Sequence, residues 1–106
     1  MTTSLRLNIT ISADHPSLPG HFPGHPVVPG AVILAEVIHV VTRALGAGTR
    51  ITGLPRVKFV NPMPPGQPCE LILTDHGVGS AGFELTHDAR RVASGNLRYE
   101  RPSGAT

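Results

Sequence analysis

The sequence lacks tryptophan and has few aromatic residues of any kind, which limits both its core and its binding surfaces. Its aromatic residues are Phe22, Phe59, Phe83 and Tyr99, in a chain of 106 residues. Apolar residues make up 40% of the chain, so we expect a core built mainly from aliphatic side chains. Nucleic-acid binding by base stacking is not expected, because it requires aromatic platforms.

Cysteine is also scarce, since Cys69 stands alone and no internal disulfide can form. That usage is typical of a reducing compartment. Cys69 lies in the alternating run CELILT, where a cysteine is more often a small apolar side chain than a nucleophile. No apolar run reaches transmembrane length, and the first ten residues lack a signal-peptide core. We therefore expect a cytoplasmic protein that binds no membrane.

Charge is spread along the chain, with a formal net charge of +2. A solvated surface is the simpler interpretation, and a shallow patch for an acidic partner is the alternative. The candidates for such a patch are Arg43, Arg50, Arg56, Lys58, Arg90 and Arg91.

The pattern of apolar residues predicts one α+β domain over residues 1–106, with a flexible tail at 101–106. Residues 5–11 alternate strictly and predict a half-buried strand. Residues 13–30 contain five prolines and three glycines, which exclude a helix or a central strand. Residues 31–45 run without a breaker and predict a helix. That helix is apolar nearly all round, so we expect it to be wrapped on most sides.

Four further strands are predicted after the helix, at residues 51–61, 69–76, 81–87 and 92–100. Short turns join most of them, so an antiparallel meander is expected. The order of elements predicts an antiparallel β-sheet wrapped around one central hydrophobic α-helix.

The loop GHFPGHPVVPG, residues 20–30, holds the most informative chemistry. His21 and His25 have the spacing of two metal ligands on a helix, but the prolines between them forbid that helix, and no further ligand cluster completes a metal site. Alternatively, a histidine held by prolines could exchange protons with a substrate. Gly30 would then open a helix whose free amides polarise a carbonyl oxygen. A third interpretation, favoured by spacing alone, is a rigid turn with no catalytic role.

The same loop resembles the signature of the 3-hydroxyacyl-[acyl-carrier-protein] dehydratases, a family with the hot-dog fold. The family pattern G-H-F-P-G-x-P, two apolar residues and P-G matches residues 20–30 throughout. RVKFVNPMPPGQPCELIL and RRVASGNLRYE resemble a later strand–turn–strand and the last strand of the family. The resemblance covers residues 5–100.

The resemblance implies specific roles for residues in and after the loop. His21 would act on the α-carbon and the hydroxyl of the substrate, and the Gly30 N–H would hold the thioester carbonyl. Phe22 and Pro29 would line the substrate. The resemblance also implies a homodimer whose two sites are each built from both subunits, a substrate carried on acyl carrier protein or coenzyme A, and no metal or organic cofactor.

The chain departs from the family pattern at the second catalytic group, an acid fourteen residues after the histidine. That position is Ala35, and the nearest acid is Glu36. One residue is about 100° of helix rotation, so Glu36 would take the family's place only if a π-bulge or a tight first turn shifted the helix. His39 shares the helix face of Ala35 and could partly fill the space or hold a water there.

Three functions remain open from the sequence. The first is dehydration, or the reverse hydration, of a 3-hydroxyacyl thioester in fatty-acid or specialised acyl synthesis, with Glu36 as a displaced acid. The second is related thioester chemistry such as hydrolysis. The third is an acyl-binding or complex-forming subunit that has lost catalysis.

Overall fold

A computed structural model describes residues 3–14 and 28–101, which form one antiparallel sheet and one helix. The elements are β1 (Thr3–Ile9), α1 (Gly30–Leu45), β2 (Arg50–Phe59), β3 (Cys69–Asp75), β4 (Ser80–His87) and β5 (Arg90–Glu100). Each lies within about two residues of its predicted position. The loop residues His21, Phe22 and His25, and most of the predicted flexible tail, lie outside the described residues.

The strand order is β1-β3-β4-β5-β2, which corrects one part of the predicted topology. Strands β3, β4 and β5 form the expected antiparallel meander, but β2 pairs with β5 and not with β3. The segment NPMPPGQP after β2 holds four prolines, which suit a long crossing and not a tight hairpin. β2 is therefore an edge strand, at the opposite side of the sheet from β1.

Helix α1 lies against the sheet through one apolar stripe. Ile33, Val37, Val41 and Leu45 are buried, and they repeat every four residues as a single helix face requires. They join buried strand residues such as Leu71, Leu73, Leu85 and Leu97 in one core.

The prediction that the helix would be wrapped on most sides is wrong for the single chain. Ala31, Ala35, His39 and Arg43 also repeat every four residues, and all four are exposed. The apolar composition of α1 therefore exceeds what its own sheet buries. This leaves an exposed stripe on the face away from the core.

Candidate active site

The first turn of α1 presents free backbone donors beside a residue without a side chain. Pro29 precedes the helix with an extended backbone, and its carbonyl accepts hydrogen bonds from the amides of Val32 and Ile33. The amides of Gly30 and Ala31 have no acceptor within the described ranges. Helix starts carry partial positive charge, so these two amides are suited to bind an oxygen with developing negative charge.

A mostly apolar cavity of ≈ 380 Å³ opens at this helix start. It is lined by Val28, Gly30, Ile33, Phe59, Val60, Asn61, Pro62 and Met63. The ring of Phe59 covers Gly30 so closely that a Cβ added there would lie 3.1 Å from its Cζ atom. A side chain at this position would require the Phe59 ring or the helix start to shift by a few tenths of an ångström, and Gly30 itself lines the cavity.

Phe59, Asn61 and Met63 line this cavity but were not among the site residues predicted from the sequence. They lie in the segment KFVNPM, which the resemblance had matched as a strand and turn only. The signal that could have identified them is Phe59 itself, because it is one of four aromatic residues and is followed by a proline-rich turn. Its proximity to Gly30 depends on how the helix and β2 pack, which no local pattern encodes.

The helix is regularly α-helical from Gly30 to Leu45, so the one-residue shift that would rescue Glu36 does not occur in it. Ala35 and His39 lie on the exposed stripe, whereas Glu36 is half-buried on a flank about 100° away from Ala35. Glu36 has no hydrogen bond or ion pair with any described residue. None of these three residues lines the cavity at Gly30.

A second apolar cavity of ≈ 500 Å³ lies along the seam between α1 and β2. Its lining includes Ile38 and Thr42 from the helix and Ile51 and Leu54 from the strand. On the helix, Ala35 is about 60° from Ile38 and about 20° from Thr42, while Glu36 is at least about 120° from either. Ala35 therefore faces the same side of the helix as this cavity, about one turn before it, and Glu36 projects away from that side.

Cys69 lies in the core and is not a suitable nucleophile. Cys69 is buried, and burial raises the pKa of its thiol, with the carboxylate of Asp88 acting in the same direction. A raised pKa disfavours the thiolate, which agrees with an apolar role for Cys69.

Residues 3–14 and 28–101 contain no group of three or more potential metal-ligating side chains. In the same part of the chain, no helix has both the length and the apolar character needed to cross a membrane.

The sequence of this chain is similar to those of known dehydratases. The sequence profile of the ApeI-like dehydratases, described as ApeI dehydratase, matches residues 1–96. The 3-hydroxyacyl-[acyl-carrier-protein] dehydratase FabZ of Thermus thermophilus is 30% identical over 104 residues, covering 87% of this chain and 72% of its own.

Solved structures agree with the fold. An uncharacterised protein from Erwinia carotovora subsp. atroseptica has a TM-score of 0.78 at 30% identity, covering 94% of this chain and 85% of its own. The dehydratase heterocomplex ApeI:P from Xenorhabdus doucetiae has a TM-score of 0.77 at 23% identity, covering 92% and 88%. The sheet and its single helix are a hot-dog fold, as predicted. This chain belongs to the ApeI-like dehydratase family and is related to the FabZ dehydratases.

Proposed function

We propose that this protein removes water from a 3-hydroxyacyl thioester carried on acyl carrier protein, giving the corresponding enoyl thioester. The observation that carries the proposal is the pair of amides at Gly30 and Ala31, which lie beside a mostly apolar cavity. A thioester carbonyl bound there would become a better electron acceptor, and the proton on the adjacent carbon would become easier to remove.

His21 is the proposed proton carrier. It takes the proton from the α-carbon, the electron pair forms the new double bond, and the hydroxyl leaves from the β-carbon. The same proton is then given to the departing hydroxyl, which becomes water. No proton is gained or lost over the cycle, so a single histidine can serve as base and then as acid. The proline-rich sequence around His21 supports this role by limiting the orientations of the loop.

The carboxylate of the family pattern has no counterpart on the seam between α1 and β2. Ala35 stands at the family position, and Glu36 points to the opposite flank of the helix. We therefore propose that Glu36 contributes little to proton transfer. His39, on the same stripe as Ala35, would at most hold a water near the leaving hydroxyl.

The proposed assembly is a homodimer formed along the edge strand β2. Its outer edge has no partner strand within the described sheet, and unpaired strand edges favour association. At the end of β2 the large apolar residues Phe59 and Val60 are 47% and 48% exposed. A second copy of the chain would cover them and the adjacent seam. Light scattering at micromolar concentration should give a dimer, and a monomer would contradict this arrangement.

The experiment that tests the function measures the reaction in both directions. Purified protein is mixed with a 3-hydroxyacyl thioester of acyl carrier protein, and then with the enoyl thioester, while the enoyl absorbance and free thiol are followed. Dehydration predicts interconversion of the two thioesters without release of thiol. Thiol release without interconversion would identify a thioesterase instead.

The alanine at position 35 supports a second candidate, a subunit that binds acyl thioesters without converting them. This candidate predicts that the protein binds the enoyl thioester in calorimetry but leaves it unchanged over hours. Turnover by the purified chain would eliminate it.

A further inference from the structure

A small cavity of ≈ 50 Å³ lies directly beside the cavity at Gly30. It is lined by Asn61, Pro62, His87, Arg90 and Val92, and it shares Asn61 and Pro62 with the larger cavity. A molecule seated at Gly30 could therefore extend past Asn61 to the side chain of Arg90.

Arg90 is held in place by an amide and not by an acid. Its Nη2 atom donates a hydrogen bond to Oδ1 of Asn61 at 3.1 Å, and Nδ2 of Asn61 donates to the carbonyl of Arg91 at 2.6 Å. The second bond fixes the orientation of the Asn61 amide, so its oxygen must face Arg90. Two backbone bonds to the carbonyl of Val92, from the amides of Val60 and Asn61, anchor the same segment.

The charge of Arg90 is not neutralised by any described carboxylate. Its neighbour Arg91 pairs with Glu84 at 3.2 Å, and Arg6 pairs with Glu70 at 3.3 Å. Asn61 takes up only one of the N–H groups of Arg90, and a guanidinium has five. Arg90 is therefore oriented at the rim of the cavity with donors to spare.

His87 also lines the small cavity, and it is the register partner of Arg90 across the β4–β5 hairpin. Its Nε2 atom is 2.8 Å from Oε1 of Gln67. The carboxylate of Asp88 lies 3.7 Å from Nε2 of His87, and its side chain is 86% exposed at the tip of the turn. The lining described for the small cavity therefore contains the positive charge of Arg90 and no carboxylate.

We propose that Arg90, oriented by Asn61, binds the phosphate of the pantetheine arm of the substrate. Acyl carrier protein and coenzyme A share this phosphate, and the arm ends in the thioester that the proposed function places at Gly30. An arginine is suited to this group because its planar donors match phosphate oxygens in pairs. The inference rests on the proposed function for the location of the thioester, and it assigns Arg90 to substrate specificity and Asn61 to positioning.

The test compares three substrates with the same acyl group, carried on acyl carrier protein, on coenzyme A, and on pantetheine without phosphate. Arg90→Ala should raise KM for the first two by about tenfold or more, which is the scale of a lost charge-assisted hydrogen bond. Its kcat, and its KM for the pantetheine substrate, should not change. Asn61 also lines the cavity at Gly30, so Asn61→Ala should raise KM for all three substrates, but more for the two that carry the phosphate. Arg90→Lys should recover part of the loss.

Arg6→Ala is the matched control, because it removes one surface arginine from the far strand β1, and it should change none of these constants. An equal loss for all three substrates would reduce Arg90 to a structural role. A loss for the carrier-protein substrate alone would assign it to the carrier surface, and no loss would exclude it from binding. Each of these results overturns the proposal.

The failure of this site can be told apart from failure of the reaction. If the wild-type protein converts none of the three substrates, calorimetry with 4′-phosphopantetheine and with pantetheine isolates the contribution of this phosphate, because the two ligands differ only there. Tighter binding of 4′-phosphopantetheine that is lost in Arg90→Ala supports the site, and equal binding of the two ligands contradicts it.

Discussion

The two ends of the sheet use their polar groups differently. We name the turn between β3 and β4 the hairpin end. There Asp75 accepts hydrogen bonds from the Tyr99 hydroxyl at 2.5 Å and from the Gly77 amide at 2.9 Å. Asp75 also forms an ion pair with Arg101 at 3.3 Å. At the site end, which holds Gly30, Phe59, Asn61 and Arg90, the helix amides and the guanidinium keep donors without described partners.

This difference separates polar groups that stabilise the fold from those that are available to a ligand. A carboxylate with three donors has most of its hydrogen-bonding capacity filled by the protein itself. Amides at a helix start and an arginine without an acid have capacity left, and here both lie beside a cavity that a substrate can enter. Removing the free donors at the site end should therefore change substrate binding or catalysis, and removing the paired groups at the hairpin end should change stability.

The largest effect of a change at the site end is expected from Gly30→Ala. The new Cβ would lie 3.1 Å from the Phe59 ring, so either the ring or the helix start must move. We expect kcat/KM to fall by about 10²-fold, the scale for misplacing a bound substrate by about an ångström. Gly82→Ala is the control, because its Cβ would meet nothing closer than 3.6 Å. Equal rates for wild type and Gly30→Ala would remove the helix start from the site.

A change in the second turn of the helix, Ala35→Glu, should raise the rate and not lower it. Ala35→Glu places a carboxylate at the family position on the exposed stripe, and we expect at least about a tenfold gain in dehydration rate, a part of what a well-placed acid–base group supplies. Ala47→Glu, the same change at an exposed alanine just beyond the helix, serves as the control. No gain with Ala35→Glu would mean that the site differs from its relatives by more than one side chain.

Glu36→Gln should have a much smaller effect than either change. Because Glu36 points away from the seam, we expect its loss to lower kcat by less than about tenfold. Steady-state kinetics with the carrier-protein substrate measures this. A fall of two orders of magnitude would instead assign proton transfer to Glu36. The helix would then have to present Glu36, and not Ala35, to the substrate.

At the hairpin end, Tyr99→Phe should lower stability and leave kinetics unchanged. Burial acts to raise the pKa of Asp75, but the hydrogen bonds from Tyr99 and Gly77 and the charge of Arg101 outweigh it and hold that pKa below its usual range. Loss of the hydroxyl should lower the free energy of unfolding at pH 7 by about 1–3 kcal/mol, as measured by urea denaturation.

The pH dependence of that loss follows from the sign of the shift. A depressed pKa in the folded state stabilises the protein above the unfolded pKa of about 3.9, and the contribution disappears as pH falls through the folded value. The difference between wild type and Tyr99→Phe should therefore shrink as pH falls below about 4. A difference that is independent of pH would show that Tyr99 acts through packing alone.

The smallest effect is expected on stability, from a change in the turn between β4 and β5, which joins His87 to Arg90. Ala89 in this turn has φ 64°, a left-handed conformation that disfavours a residue with a Cβ. Ala89→Gly should therefore stabilise the protein by about 1 kcal/mol, a rise in Tm of roughly 4–8 °C for a domain of this size. Val78→Gly, in the neighbouring hairpin, is the control without strain to relieve. An unchanged or lower Tm for Ala89→Gly would contradict the proposed strain.

Local sequence patterns were sufficient for the elements of the fold. Alternation located β1, the unbroken run after Pro29-Gly30 located α1, and Gly46 marked its end. The pairing of β2 with β5 was not predicted, because it depends on where a long crossing delivers the chain. The exposed stripe at Ala35 and His39 was also missed, since composition gives the apolarity of a helix but not how many sides its own sheet covers.

Some residues of the candidate site were predicted from the sequence, and others were not. Pro29-Gly30 was identified as a helix entry from residue types whose conformations are restricted or unusually free, and α1 does begin at Gly30. Phe59 and Asn61 lie at the end of β2 and Arg90 at the start of β5, and only the pairing of these two strands brings Arg90 beside Asn61. Their roles, and that of His21, remain predictions for experiment.

The most direct test of the central claim compares two histidines of the same loop in one dehydration assay. His21→Ala should lower kcat with a 3-hydroxyacyl carrier-protein substrate by at least about two orders of magnitude, the usual scale for removing a proton-transfer group. His25→Ala, four residues later at a position that the family pattern leaves variable, should retain most of the wild-type rate. Equal activity of the two variants would contradict the assignment of catalysis to His21 and the start of α1.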